Sequence, residues 1–334
     1  MKKLYQCIIL IGIFFGFINH TLSVYAEGEV GFNIQAILPD NQLDKDELFF
    51  NLRMTPQKKQ TIELKINNTS NEDMLFEINV NQAYTNNQGF IDYTDKTSNV
   101  DNNLPYNIND LVKYDKEVYV SAKTTKIVPF KITMPDEPYI GEILSGIQVL
   151  KKNNKEDAKD SIHNSVGYVL GLKLTESDVA VKRQMNVTSV KPQAKFGKPS
   201  IVATIQNPTM DSYGHLKYEA EIYKKRTKEL FYKATYDNDM ELAPNSSYPF
   251  AIELKNQSLI DGEYTLNLIV SDAKGNKWNF SEDFTVTKEE MNKINQITLN
   301  DSNKLSIPWL GVLIIMILII VIGGVIILKR KKNY

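Results

Sequence analysis

Period-two alternation of apolar and polar residues dominates the middle of the chain. Ile62, Leu64 and Ile66 share one face against Thr61, Glu63, Lys65 and Asn67, and Leu216, Tyr218, Ala220 and Ile222 share another against Lys217, Glu219 and Glu221. Side chains two apart lie on one side of an extended chain, so these are half-buried strands. Further runs of this kind fall at 32–38, 48–54, 75–84, 117–121, 127–134, 143–150, 166–174, 185–190, 200–206, 229–236, 248–254, 264–270 and 278–286, separated by turn residues. Many short strands at this spacing predict an all-β chain of two tandem immunoglobulin-like β-sandwich domains.

Local chemistry refines the pattern. Pro129 has no N–H to give a ladder, so its strand is expected at a sheet edge or bulge. Gly141 and Gly146 inside an apolar run predict a bulge or a close backbone approach. Asp272 to Asn276 has the composition of a hairpin loop. The polar decapeptide Lys151 to Asp160 reads as a long hairpin loop, because 166–174 continues the first sheet. The first sandwich is therefore expected over 27–175, and the second over 178–297. Thr287-Lys288-Glu289-Glu290 is a capping box opening a short helix to about Ile297, followed by a juxtamembrane linker over 298–308.

Both ends carry membrane signals. Lys2 and Lys3, an apolar run, then Val24-Tyr25-Ala26 predict a signal peptide over 1–26, with an uncleaved anchor as the alternative. Trp309 to Leu328 is uncharged and, at 1.5 Å per residue, about 30 Å long as a helix, which matches a bilayer core. A transmembrane helix is expected over 309–328, with the basic tail 329–334 cytoplasmic and the ectodomain outside a single-pass cell membrane. No Leu-Pro-x-Thr-Gly precedes this segment.

Charge and composition narrow the chemistry. The 334 residues hold 39 basic and 40 acidic side chains. Removing the six basic residues of the two ends leaves 33 against 40, a mildly acidic ectodomain unsuited to nucleic acid. Cys7 is the only cysteine and lies in the signal peptide, so the mature chain has no disulfide, thiolate-held zinc or thiol nucleophile. His163 and His215 are the remaining histidines of the mature chain, and no nucleophile elbow, phosphate loop, dinucleotide fingerprint or His-Glu-x-x-His occurs. Metal, cofactor and enzymatic activity are not expected, although two carboxylates joined by folding would suffice for a glycosidase. The sequons at Asn67, Asn186, Asn245, Asn256 and Asn279 are assigned no role. Seventeen tyrosines, many beside Asn or Asp, suit stacking and hydrogen bonding to glycans or extended chains, or equally the packing of sandwich cores.

One loop stands out. Thr85-Asn86-Asn87-Gln88-Gly89 is a turn whose Asn and Gly tolerate positive φ, flanked by Tyr84 and Tyr93. Tyr84, Asn86, Asn87, Gly89, Asp92 and Tyr93 form a candidate ligand-binding loop, or else a hairpin with a tyrosine packed on each side.

An ordered set of motifs completes the reading: Phe49-Phe50-Asn51-Leu52 with Pro56, Ile66-Asn67-Asn68-Thr69, Ala83 to Tyr93, and Pro138 to Ile147 in the first half. In the second half stand Ile205-Gln206-Asn207-Pro208, Leu242-Ala243-Pro244-Asn245-Ser246, Asp261-Gly262-Glu263-Tyr264, Trp278 and Phe284-Thr285-Val286-Thr287. With a signal peptide, two β domains and a basic-tailed membrane helix, nearly the whole chain resembles the WxL-interacting proteins of Gram-positive bacteria. The resemblance implies a peptidoglycan-binding first domain, a host-matrix-binding second domain and WxL-domain surface proteins as partners. Trp278-Asn279-Phe280 and Trp309-Leu310-Gly311 do not give Trp-x-Leu, so the chain is expected to be the tethered partner. A non-catalytic scaffold contributing to adhesion is the leading expectation. An assembly chaperone acting by strand addition and a wall hydrolase are its rivals.

Overall fold

The computed structural model describes residues 30–94, 104–152, 166–255 and 257–302. The expected signal peptide, transmembrane helix and basic tail lie outside them. Among the described residues no helix is long and apolar enough to cross a membrane.

The first sandwich is built from β1 (Phe32–Ile37), β2 (Phe50–Arg53), β3 (Lys59–Asn68), β4 (Met74–Gln82), β5 (Tyr84–Thr85), β6 (Ile91–Asp92), the single turn α1 (Ile108–Leu111), β7 (Val112–Lys113), β8 (Glu117–Val120), β9 (Thr125–Thr133), β10 (Glu142–Lys151) and β11 (Gly167–Thr175). Its sheets run β1-β3-β9-β7 and β2-β11-β10-β4-β8, and β5 and β6 form a separate two-stranded ribbon. The alternating residues read from the sequence face inward: Ile62, Leu64 and Ile66 pack with Phe50, Phe76 and Phe130 in one core. Pro129 sits where β7 does not reach, since β7 pairs only with Lys131 and Ile132, so its missing N–H interrupts no ladder.

The second sandwich comprises β12 (Asn186–Lys195), β13 (Lys198–Asn207), β14 (Tyr213–Lys224), β15 (Leu230–Leu242), β16 (Ser246–Glu253), β17 (Gly262–Ser271) and β18 (Lys277–Val286), with α2 (Lys288–Ser302) after it. The sheets run β12-β13-β16 and β15-β14-β17-β18. Tyr218 and Phe250 stack at 4.5 Å in the core, and Trp278 stacks on Tyr213 at 5.6 Å. The capping box closes as read: the Thr287 N–H donates to Glu290 Oε2 (2.9 Å) and the Glu290 N–H to Thr287 Oγ1 (3.2 Å). The helix runs to Ser302 rather than stopping at Ile297, entering the stretch expected as linker; no proline or glycine interrupts it before Pro308.

Both sandwiches use the same buried corner at the end of a central strand. Asn68 Oδ1 accepts from the N–H and hydroxyl of Ser70, while its amide donates to the carbonyls of Glu72, Val120 and Ser121. Asn207 Oδ1 accepts from the N–H and hydroxyl of Thr209, and its amide donates to the carbonyls of Asp211 and Ala243. A buried amide with every bond made holds a loop against a strand at no desolvation loss.

Candidate functional site

The loop from Tyr84 to Tyr93 spends most of its polar groups on its own shape. Asn86 Oδ1 accepts from the N–H groups of Gln88 (2.9 Å) and Phe90 (3.2 Å), and Gly89 turns the chain at φ +84°. Asp92 Oδ1 accepts from the N–H groups of Tyr93 (2.6 Å) and Thr94 (2.9 Å) and from the Thr94 hydroxyl (2.9 Å). Burial pulls the Asp92 carboxyl upward, but these donors outweigh it and hold it below 3.8. Tyr84 Oη lies 3.4 Å from Thr94 Oγ1.

The turn is docked on the second sandwich. The buried Ala243 N–H donates to Thr85 Oγ1 (2.8 Å), the Glu241 N–H to the Gly89 carbonyl (2.7 Å), and the Ile91 N–H to Glu241 Oε2 (3.0 Å). Lys195 Nζ reaches Asn87 Oδ1 at 3.1 Å. Ala83, Leu144 and Ala243, with Ile91 and Tyr93, form a small apolar cluster between the domains. A side chain at Gly89 would run into Met240 and Tyr248. Burial first, then the neighbouring carboxylates of Glu142, Glu241 and Asp92, push the Tyr93 phenol up to about 12. A Cβ at Gly146 would lie 2.6 Å from that of Tyr93, which explains the glycine as a close approach.

A second bridge lies nearby. The Glu142 N–H donates to the Met210 carbonyl (2.7 Å), and the buried Glu142 carboxylate accepts from the Ser212 N–H (2.9 Å) and pairs with Lys173 (2.5 Å). Gly141 holds φ +108° with Met210 where its side chain would be, so a backbone of each domain touches the other. On the connector between the sandwiches, Arg183 is sandwiched by charge and aromatic surface. It donates to Asp211 (2.7 Å), to the fully buried Asp272 (2.6 Å) and to the Ser212 carbonyl (2.9 Å), with its guanidinium 4.6 Å from the Tyr213 ring centre. Asp272 in turn fixes the β17–β18 hairpin by accepting from the N–H groups of Lys274 and Asn276.

Two hollows border these bridges. A cleft of about 550 Å³ opens between the domains, lined by Asn51, Arg53, Lys173, Ser177, Lys182 and Lys274 among others. Arg53 pairs with Asp178, whereas Lys182 and Lys274 have no carboxylate partner among the described residues. Asn51 Oδ1 and Ser177 Oγ are buried without a hydrogen bond. A groove of about 640 Å³ adjoins it over β10 and β11, lined by Ile34, Leu48, Phe49, Tyr93, Leu144 and Val169 and sharing Glu142 and Lys173 with the cleft. Of the six loop residues named from sequence, Tyr93 lines this groove; Asn87 and Gly89 touch the second domain, and Asn86 and Asp92 brace the turn. The cleft's lysines were not singled out by sequence. Lys182-Arg183 after the last strand of the first domain is the signal that marks Lys182, whereas Lys274 is hidden in a hairpin loop of ordinary composition.

Residues 32–151 match the family model for the WxL-interacting protein peptidoglycan-binding domain, and residues 157–296 match that for the WxL-interacting protein host-binding domain. The second match begins ahead of β11, a strand that belongs to the first sandwich in space. No curated protein matches the chain. Similar solved structures include a chaperone–tip adhesin complex of CFA/I fimbriae biogenesis (11% identity over 76% of this chain and 97% of that one, TM-score 0.31). Others are the Pseudomonas aeruginosa CupB2 chaperone (12%, 70% and 97%, TM-score 0.28) and the E. coli chaperone DraB (13%, 77% and 95%, TM-score 0.28).

Proposed function

This chain belongs to the WxL-interacting protein family, and on that premise we propose that it is a non-catalytic cell-surface scaffold. In this reading the signal peptide is removed and the segment 309–328 anchors the protein in the cell membrane with its C-terminus inside. The first domain holds peptidoglycan together with the connector and the β17–β18 hairpin that complete the cleft beside it, the second contributes to adhesion to host matrix, and the ectodomain binds a WxL-domain protein.

The observation that supports the wall-binding part is the cleft between the domains. Peptidoglycan offers carboxylates, amides and hydroxyls, and the cleft presents Lys182 and Lys274, without a carboxylate partner among the described residues, beside the ion-paired Arg53 and Lys173. Exposed ammonium groups on a concave surface attract such an anionic polymer over a Debye length of about 8 Å at physiological salt. The candidate loop works by position: Tyr84, Asn86, Asn87, Gly89 and Asp92 hold Tyr93 at the wall of the adjoining groove and hold the second domain at the cleft.

The test is co-sedimentation of the full-length protein with purified peptidoglycan. Retention is expected, weakened by salt and lost when Lys182→Glu and Lys274→Glu are combined, with no soluble muropeptides released. Unchanged retention of the folded double variant would remove the cleft from the reading, and release of muropeptides would replace the scaffold with a hydrolase.

A further inference from the structure

The hairpin β10–β11 is longer than the strand that covers its outer side. β11 pairs with β10 along its whole length, from Gly167 to Thr175, but β2 covers only Leu172 to Thr175. Among the described residues, the half from Gly167 to Gly171 therefore has a strand neighbour on one side only. The phase of the ladder says which groups are left. The Lys151 N–H bonds the Val166 carbonyl and the Met54 N–H bonds the Thr175 carbonyl, so even-numbered residues of β11 turn their backbone to β10 and odd-numbered ones turn it outward. Val169 and the N–H of Gly171 face away from every strand among the described residues. The groove described above lies against them. Leu48, 86% exposed, and the half-exposed Tyr168 and Val169 rim it, and β1, itself paired only with β3, supplies Ile34 from the opposite sheet.

We propose that the open half of β11, Gly167 to Gly171, is a docking edge for an extended segment of a partner polypeptide carrying apolar side chains at alternate positions. The backbone array specifies an occupant that alternates donor and acceptor at strand spacing, which a polypeptide does. The ladder that β2 begins is continued: the added strand abuts Phe49 and extends the β2 edge over five residues, about 17 Å. Its inward side chains cover Ile34, Tyr168 and Leu170, closing the mouth between the two sheets, while its outward ones lie beside Leu48 and Phe49. An exposed, apolar strand edge of this kind invites pairing unless something covers it.

The probe is a nine-residue peptide alternating valine or leucine with threonine, titrated into the full-length protein in mild detergent, with amide hydrogen exchange as readout. Saturable binding below about 1 mM and new protection of the Val169 amide are expected. A peptide N-methylated at its bonding positions keeps the side chains but loses the ladder, and binds about tenfold weaker or less. Val169→Pro removes an N–H that the native ladder does not use, so the fold survives and binding is lost. Leu48→Asp, on the solvent rim, weakens binding without touching the backbone and guards against a misfolded proline variant. Absence of binding, equal affinity for the N-methylated peptide, or protection appearing on β1 instead of β11 would overturn the assignment. Concentration-dependent protection of Val169 without peptide would make the occupant a second copy of the chain and overturn it too.

Discussion

Replacing Thr85 by valine tests the bond between the two sandwiches with almost no change of shape. Thr85 Oγ1 accepts the Ala243 N–H at 2.8 Å and lies 3.3 Å from Ser246 Oγ, and all three residues are buried. Valine keeps the branched outline and removes the acceptor. The Ser246 hydroxyl still donates to the Ala243 carbonyl at 2.8 Å and so is not the orphan. The Ala243 N–H is, and a buried unpaired donor costs about 1–3 kcal/mol. Two kcal/mol is about thirtyfold in an opening equilibrium, so the Ala243 amide should exchange about thirtyfold faster in Thr85→Val while amides in the two cores hold their rates. Exchange resolved at Ala243 reads the contact locally and needs no two-state unfolding of a two-domain chain. Exchange within threefold of the parent, in a protein that is otherwise folded, would refute the claim that this bond fixes the domains.

Gly141→Ala should lower the urea midpoint by the equivalent of about 2 kcal/mol or more, because a side chain there meets Met210 and the φ of +108° is strained for alanine. A parent-like midpoint would show that the two backbones are not in contact. Arg183→Met leaves the buried carboxylate of Asp272 without its cation and should cost roughly 3–5 kcal/mol, measured by chemical unfolding of the second domain. In the parent, burial pulls Asp272 up, but its bonds to Asn276 and Arg183 pull more strongly and hold it below 3.8. The stability it adds is therefore complete above that value and lost as the pH falls through the lower folded value, an acid transition that Arg183→Met should blunt. Thr287→Ala removes one arm of the capping box and should cost about 1 kcal/mol of α2 stability, visible as faster exchange in the first helical turn.

The sequence carried the strands well, since each half-buried strand writes its own period. Ile62, Leu64 and Ile66, or Tyr218, Ala220 and Ile222, needed no partner to be recognised. Local chemistry at Pro129, Gly146 and the Thr287 capping box was legible for the same reason: the cause lies within a few residues of the effect. β10 is harder, because Glu142 to Val149 is buried on both faces and its outer cover is the Tyr93 loop, fifty residues earlier. The docking of that loop on Glu241 and Ala243 spans about 150 positions, and nothing in Asn86-Asn87-Gln88-Gly89 distinguishes a turn that binds a ligand from one that binds the next domain. Lys182 and Lys274 become neighbours only when the connector and the β17–β18 hairpin meet at one cleft.

The bridges at Thr85, Gly89 and Glu142 lie in parallel with the covalent connector, residues 176–185, which Arg183 also pins. A pull between the sandwiches is thus borne first by a handful of interdomain hydrogen bonds, and the sheets are spared. When those bonds give way, the ten connector residues can straighten toward a full length of about 35 Å before any strand is loaded. The domain junction is built as a mechanical fuse: it yields early, absorbs extension, and can re-form because both folds survive its rupture.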